Sequence, residues 1–207
     1  MKRSRQLALP LPVRGGRRPG AGRKPRGPRA GVSHRARAWF DRPTPVHVTL
    51  RVRRHVWNLR SIRCFRRLES CFRAAWGRFG VRLIEFSVQG NHVHLIVEAD
   101  DSVSLSRALQ GLAIRIAKAL NDLMGRAGAV FSDHYHSRLL RTPTELVRAI
   151  CYVLDNHGHH FGARGVDPFS SPALPEERKR LVLCVPVGWL LRAGWKRAAP
   201  LSVGPSG

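Results

Sequence analysis

Two eight-residue runs, VRLIEFSV (81–88) and HVHLIVEA (92–99), are separated by only Gln89-Gly90-Asn91. Both runs are rich in β-branched and aromatic residues, and a three-residue linker containing glycine suits an antiparallel hairpin. That hairpin constrains everything around it. Side chains at i and i+2 project from the same face of a strand, so His92 and His94 stand side by side in a run that is otherwise apolar.

The flanking sequence supplies the elements that would pack on it. PVHVTLRV at 45–52 alternates β-branched residues after a proline and reads as a strand. Ile62, Phe65, Leu68, Phe72, Ala75, Trp76 and Phe79 recur at three and four, which predicts a helix stopping near Gly80. Leu105, Ala108, Leu109, Leu112, Ala113, Ile116, Ala117, Leu120 and Leu123 mark a second helix, with Ser102 or Ser104 as the expected cap and Gly125 near its end. VFSDHYHSRLL at 130–140 reads as a fourth strand. Thr142, Pro143 and Glu145 then open a third helix as N-cap, N1 and N3, and this helix is expected to end around Asn156 to Gly158. The order β-α-β-β-α-β-α predicts an α+β protein with a ferredoxin-like antiparallel sheet and two helices on one face. The expected organisation is a disordered basic N-terminal arm over 1–43, a folded domain over 44–160, and a partly ordered basic C-terminal tail over 161–207.

Charge restricts the partner. Against 37 Lys and Arg stand 13 Asp and Glu, a formal net charge of +24 in 207 residues, where solubility alone would be better served by acidic residues. Such a surplus points to a polyanion, nucleic acid first. Thirteen of the basic residues, among them Arg17, Arg18, Arg23 and Lys24, fall before residue 44 in a Gly- and Pro-rich setting that cannot bury a core and is expected to order only on an anion. Gly22-Arg23-Lys24-Pro25 resembles a minor-groove AT-hook; a nonspecific basic arm acting through counterion release is the simpler reading. No segment reaches the ~20 apolar residues of a spanning helix, and LALPLPV at 7–13 is too short for a signal core. The expected location is the cytoplasm, in association with the nucleoid. Cys64, Cys71, Cys151 and Cys184 show no C-x-x-C spacing and read as small apolar residues in a reducing compartment.

Paired histidines on a strand gain a chemical meaning only with further groups. Metal-assisted chemistry on a phosphodiester needs an ion to polarise a nonbridging oxygen, a nucleophile placed for in-line attack and further ligands to fix the ion. In CYVLDNHGHH, Tyr152 and Asn156 are four residues apart and share a helix face. A phenol, ordinarily titrating near ~10, is a poor nucleophile until a metal or base helps remove its proton. His92, His94 and the Asn156 amide oxygen holding Mg²⁺ or Mn²⁺, with Tyr152 as nucleophile, would make such a site.

QGNHVHLIVE with its His-apolar-His core, the helix YVLDNHGHH with Tyr152, and the intervening LQGLAIRIAKALN and VFSDHYHSRLL together resemble the single-tyrosine HUH transposases, the insertion-sequence-200-like family that includes the REP-associated tyrosine transposases. The resemblance covers roughly residues 45–160. It implies a metal-dependent endonuclease and strand transferase acting on single-stranded DNA or hairpins, in an active or a domesticated form. It implies further that Tyr152 attacks the scissile phosphate to give a 5′-phosphotyrosine link and a free 3′-OH. His92 and His94 match the family's metal ligands, and Asn156 stands where many relatives carry the longer Gln. DNA is the expected partner, with a homodimer as the assembly to test. Arg51, Arg53, Arg138, Arg141 and His136 lie near strand ends and are candidate DNA contacts, as are Arg37 and Arg54.

Other readings compete. A second H-x-H, His134-Tyr135-His136, would direct its tyrosine to the opposite strand face from its histidines, so it reads as DNA contacts or a half-exposed strand face. His47-Val48-Thr49 is half of the paired H-x-T arrangement of two-histidine phosphoesterases, whose second copy is missing. A nucleic-acid-binding protein without catalysis is the remaining alternative.

Overall fold

The computed structural model describes residues 38–75, 77, 80–161 and 165–198, with the side chains of 156–161 excepted. The arm expected over 1–43 therefore lies mostly outside the described residues, and Arg17, Arg18, Arg23, Lys24 and Arg37 with it. Four strands, β1 (Thr44–Arg51), β2 (Val81–Val88), β3 (His92–Ala99) and β4 (His136–Leu139), form one sheet in the order β2-β3-β1-β4. Every pairing is antiparallel. With α1 (Ile62–Ala75), α2 (Ser102–Leu123) and α3 (Pro143–Phe161), the element order is the expected β-α-β-β-α-β-α, and the sheet order is that of the split βαβ pattern.

Alternation along the strands sorts residues to two cores. Val46, Val48 and Leu50 of β1 stand opposite Val97, Leu95 and Val93 of β3, and they bury with Leu68 and Phe72 of α1 and Leu109, Leu112 and Ile116 of α2. Each such side chain contributes roughly 1.5–3 kcal/mol on burial. The opposite face carries Ile96, which packs with Leu140, Leu146 and Val153, so α3 covers this second face. Seven of the eight β3 residues are buried, which is why the run reads as nearly continuous apolar sequence.

Several boundaries differ from expectation. Helix α1 ends at Ala75 rather than near Gly80, because Gly77 turns the chain at φ +79°, a conformation that glycine adopts without steric cost; Trp76 and Phe79 lie outside the described residues. Helix α2 is capped by Asp101, not by Ser102 or Ser104: its carboxylate accepts from Val103 N at 2.7 Å and Ser104 N at 2.8 Å. The box opening α3 is as read, with Glu145 N donating to Thr142 Oγ1 at 3.2 Å and Glu145 Oε2 accepting from Thr142 N at 3.3 Å. That helix continues past Gly158 to Phe161, an interior glycine costing about 1 kcal/mol without stopping a helix. Strand β4 covers only His136–Leu139. Upstream, the Asp133 carboxylate takes the His134 amide at 2.7 Å, and such local side-chain capture competes with a ladder. Cys64 and Cys71 are buried as expected, whereas Cys151 and Cys184 are half-buried.

Residues after α3 are tied to the domain by buried carboxylates. Asp167 accepts a two-point contact from Arg60 at 2.8 and 2.9 Å. Glu98, on the α3 side of β3, pairs with Arg82 at 2.7 Å and accepts from Val187 N and Gly188 N at 2.8 and 2.7 Å. The outer edge of β2 is also covered, through Phe169 O accepting from Val88 N at 2.9 Å and Cys184 N donating to Leu83 O at 2.7 Å; a covered edge cannot recruit another strand. Removing one member of a buried ion pair costs about 3–5 kcal/mol. Glu98→Ala is expected to lower unfolding free energy by about 3 kcal/mol in urea titrations, with earlier proteolysis between residues 185 and 198.

Candidate active site

The α3 side of the sheet gathers four ring-bearing residues. His92 and His94 project there from β3. His47 projects from β1, where Thr49 faces His94 across the ladder. Tyr152 comes down from α3, held by Leu146 and Val153 anchored in the second core. Its ring centroid lies 5.4 Å from that of His94 and 5.9 Å from that of His47, edge-on to both. His94 is 3% exposed, whereas Tyr152 is 49% exposed, so the histidine is fixed and the phenol remains reachable.

Hydrogen bonds decide what the imidazoles can do. His92 Nδ1 is 2.8 Å from Asn91 Oδ1; the carboxamide oxygen only accepts, so this nitrogen carries the proton and Nε2 keeps its lone pair. His94 Nδ1 is 3.1 Å from His47 Nε2 and 3.2 Å from Thr49 Oγ1. The tautomer of His94 sets the direction of these bonds: with the proton on Nδ1, donated to His47 Nε2 or Thr49 Oγ1, the Nε2 lone pair is the one available to a cation. The two Nε2 atoms are 3.0 Å apart with the rings nearly perpendicular, at 88°. Two nitrogens each ~2.1 Å from one ion in adjacent octahedral positions are separated by about 3.0 Å, so the pair fits a single divalent cation. Among the described residues no three His, Cys, Asp or Glu side chains form a metal group. Asn156 follows Tyr152 by one turn of α3, but its side chain lies outside the described residues.

His47 is pushed down from the ordinary 6.5 to about 4, first by burial and then by the positive field of His136 and Arg138. It is therefore neutral near pH 7 and able to accept from His94. The sequence flagged His47 and Thr49 for a different chemistry; only the β1–β3 register shows that both turn to His94, and Asn91 was not singled out at all.

The candidate DNA contacts divide. Arg51 stands opposite His92, His136 opposite Thr49 and Arg138 opposite His47, all on the site face. Arg138 also meets Glu145 Oε1 at 3.4 Å. Arg53 lies beyond the end of β1 and donates to Phe131 O at 3.0 Å. Arg141 is exposed at the start of α3. In the second H-x-H, Tyr135 packs against the main core while His134 and His136 are exposed, so that motif does not assemble a site.

The depressed His47 has a thermodynamic consequence. The unfolded chain takes up this proton near 6.5 and the folded chain only near 4, so the corresponding stability is complete above 6.5 and is lost as pH falls through 4. The loss is on the order of 3 kcal/mol. Urea midpoints measured from pH 7.5 to 4 are expected to fall less steeply for His47→Gln than for the parent.

No curated protein matches the sequence. Among solved structures, the fold is similar to that of a REP-associated tyrosine transposase bound to a REP hairpin, with 16% identity and a TM-score of 0.54 over 76% of this chain and 94% of that one. A candidate transposase from Deinococcus radiodurans R1 aligns at 14% identity and a TM-score of 0.42, over 56% of this chain and 92% of that one. No helix among the described residues is long and apolar enough to cross a membrane. The family model for IS200-like transposases matches residues 44–148, just over half of the 207 residues, from the first residue of β1 into α3 and ending four residues before Tyr152. The chain belongs to the IS200-like transposase family.

Proposed function

We propose that this transposase cleaves and rejoins single-stranded or hairpin DNA through Tyr152, with a divalent ion, Mg²⁺ or Mn²⁺, held by His92, His94 and the Asn156 side chain. The observation behind this reading is the convergence of the two Nε2 atoms, 3.0 Å apart, beside a half-exposed phenol whose ring centroid is 5.4 Å from that of His94. When bound, the ion would polarise a nonbridging phosphate oxygen and favour the phenolate. The residues of the chain do the rest. Tyr152 Oη loses its proton and forms a bond to phosphorus as the bond to the 3′ oxygen breaks, leaving a 5′-phosphotyrosine and a 3′ oxygen that takes up a proton to become the 3′-OH. A 3′-OH from a second strand end then attacks the same phosphorus and returns the phenol. Buried His94, with its Nδ1 held by His47 and Thr49, keeps its ring orientation through both steps. Arg51, His136 and Arg138 position backbone phosphates.

A homodimer and association with the nucleoid belong to this proposal, and sedimentation and cell imaging test them. The central test mixes the protein with single-stranded DNA from repeats flanking its gene, with and without divalent metal, and seeks a tyrosine-linked nucleotide by mass spectrometry. Tyr152→Phe is expected to abolish the adduct while leaving DNA affinity within about twofold, since it removes one oxygen and keeps the ring that meets His47 and His94. Persistent nicking by that variant would show the nucleophile to be another residue. Affinity is expected to fall by orders of magnitude between 50 and 200 mM salt, as on the order of 6–10 phosphate contacts would require.

A further inference from the structure

The basic edge strand leads away from the site to a second feature. On the α3 face of β4, His136 stands opposite Thr49 and Arg138 opposite His47. Five residues on from His136, about 17 Å of extended chain, Arg141 reaches a concavity of about 640 Å³ at the other end of the sheet. Helix α3 spans the same interval, since Pro143 opens it beside this concavity and Tyr152 follows nine residues later, about 14 Å along the axis.

The lining has an unusual composition for a place that faces solvent. Trp39 and Trp189 are 71% and 55% exposed, although indoles contribute most when buried. Both lie outside the segment that matches the family. Trp189 is locked in place: its ring lies against Gly194, where a Cβ would come within 2.6 Å of it, and the Arg197 guanidinium sits 5.4 Å from its centroid. The buried Glu98 carboxylate holds the adjoining Gly188 amide at 2.7 Å. Arg42 and Arg141 flank the indoles, with Asp41 as the one carboxylate in the lining. Aromatic faces combined with guanidinium groups at the end of a basic track are what a single nucleic-acid strand requires, whereas a duplex hides its base faces.

We propose that this pocket holds an unpaired base of a single DNA strand that runs along β4 from the Tyr152 site, the base stacked on Trp39 and its phosphate between Arg42 and Arg141. The assignment rests on single-stranded DNA being the substrate. Stacking is tolerant of base identity because every base presents a π face, so the pocket adds affinity and holds the strand's direction without requiring one sequence.

The test uses Tyr152→Phe protein, which binds without cutting, and a fluorescein-labelled oligo-dT 20-mer read by anisotropy. Adding Trp39→Ala is expected to weaken binding about five- to one-hundredfold, while Trp39→Phe restores most of it. A 20-mer with abasic sites throughout should bind the parent and the Trp39→Ala protein alike. Circular dichroism melting checks that the variants fold. Equal binding of oligo-dT by the folded Trp39→Ala protein, or equal weakening toward oligo-dT and the abasic strand, would overturn the proposal. The two readings fail separately: an adduct at Tyr152 with no dependence on Trp39 removes the pocket alone, and dependence on Trp39 with no adduct in the unsubstituted protein removes the nucleophile alone.

Discussion

The ladder between β1 and β3 is the constraint on which the rest depends. Val46, Val48 and Leu50 must meet Val97, Leu95 and Val93 on the side of α1 and α2, and the strand period of two then leaves no freedom on the other side. His47, Thr49 and Arg51 fall opposite Ile96, His94 and His92. A slip of one residue would drive both imidazoles of β3 into the apolar core and expose its valines. The packing that stabilises the domain therefore also aligns the site, and selection for one supports the other.

Alignment alone would leave the imidazoles free to choose their tautomers. What narrows the choice is a partner on the far side of each ring: the acceptor Asn91 Oδ1 for His92, and His47 Nε2 with Thr49 Oγ1 for His94. Partners of this kind on the second nitrogen commonly fix a metal-binding histidine, and carboxylates often serve. Here the partner of His94 is a neutral imidazole, kept neutral by burial and by the nearby His136 and Arg138. A carboxylate at this place would add negative charge beside the proposed phosphate path; an imidazole does not.

How far the sequence foretold this depends on whether a feature is local. The hairpin, the stripes of α1 and α2 and the Thr142–Glu145 box are set by residues within a few positions of one another, and each could be read directly. Asp101 is hidden as a cap by the serines at 102 and 104, and the period-two pattern overstates β4 because it does not register the Asp133 carboxylate capturing a neighbouring amide. The roles of His47 and Thr49 depend on pairing with a strand some forty-five residues away. Their H-x-T spacing was visible but its direction was not, since the same two side chains could face a phosphate or a histidine. Asn156, proposed as the third ligand, is legible only as a spacing of four from Tyr152 on one helix.

One strand face links the site to the segment that closes the domain. His92, His94, Ile96 and Glu98 alternate along β3 toward α3, so the strand bears paired imidazoles at one end and a buried carboxylate at the other. Glu98 has no exposed side-chain surface, and such a charge is tolerable only when paired and hydrogen-bonded. Arg82 and the amides of Val187 and Gly188 meet that need, which fixes the backbone immediately before Trp189. The electrostatic demand of one β3 residue thus sets where the C-terminal indole stands relative to the histidines, and the rigid strand between them fixes that spacing.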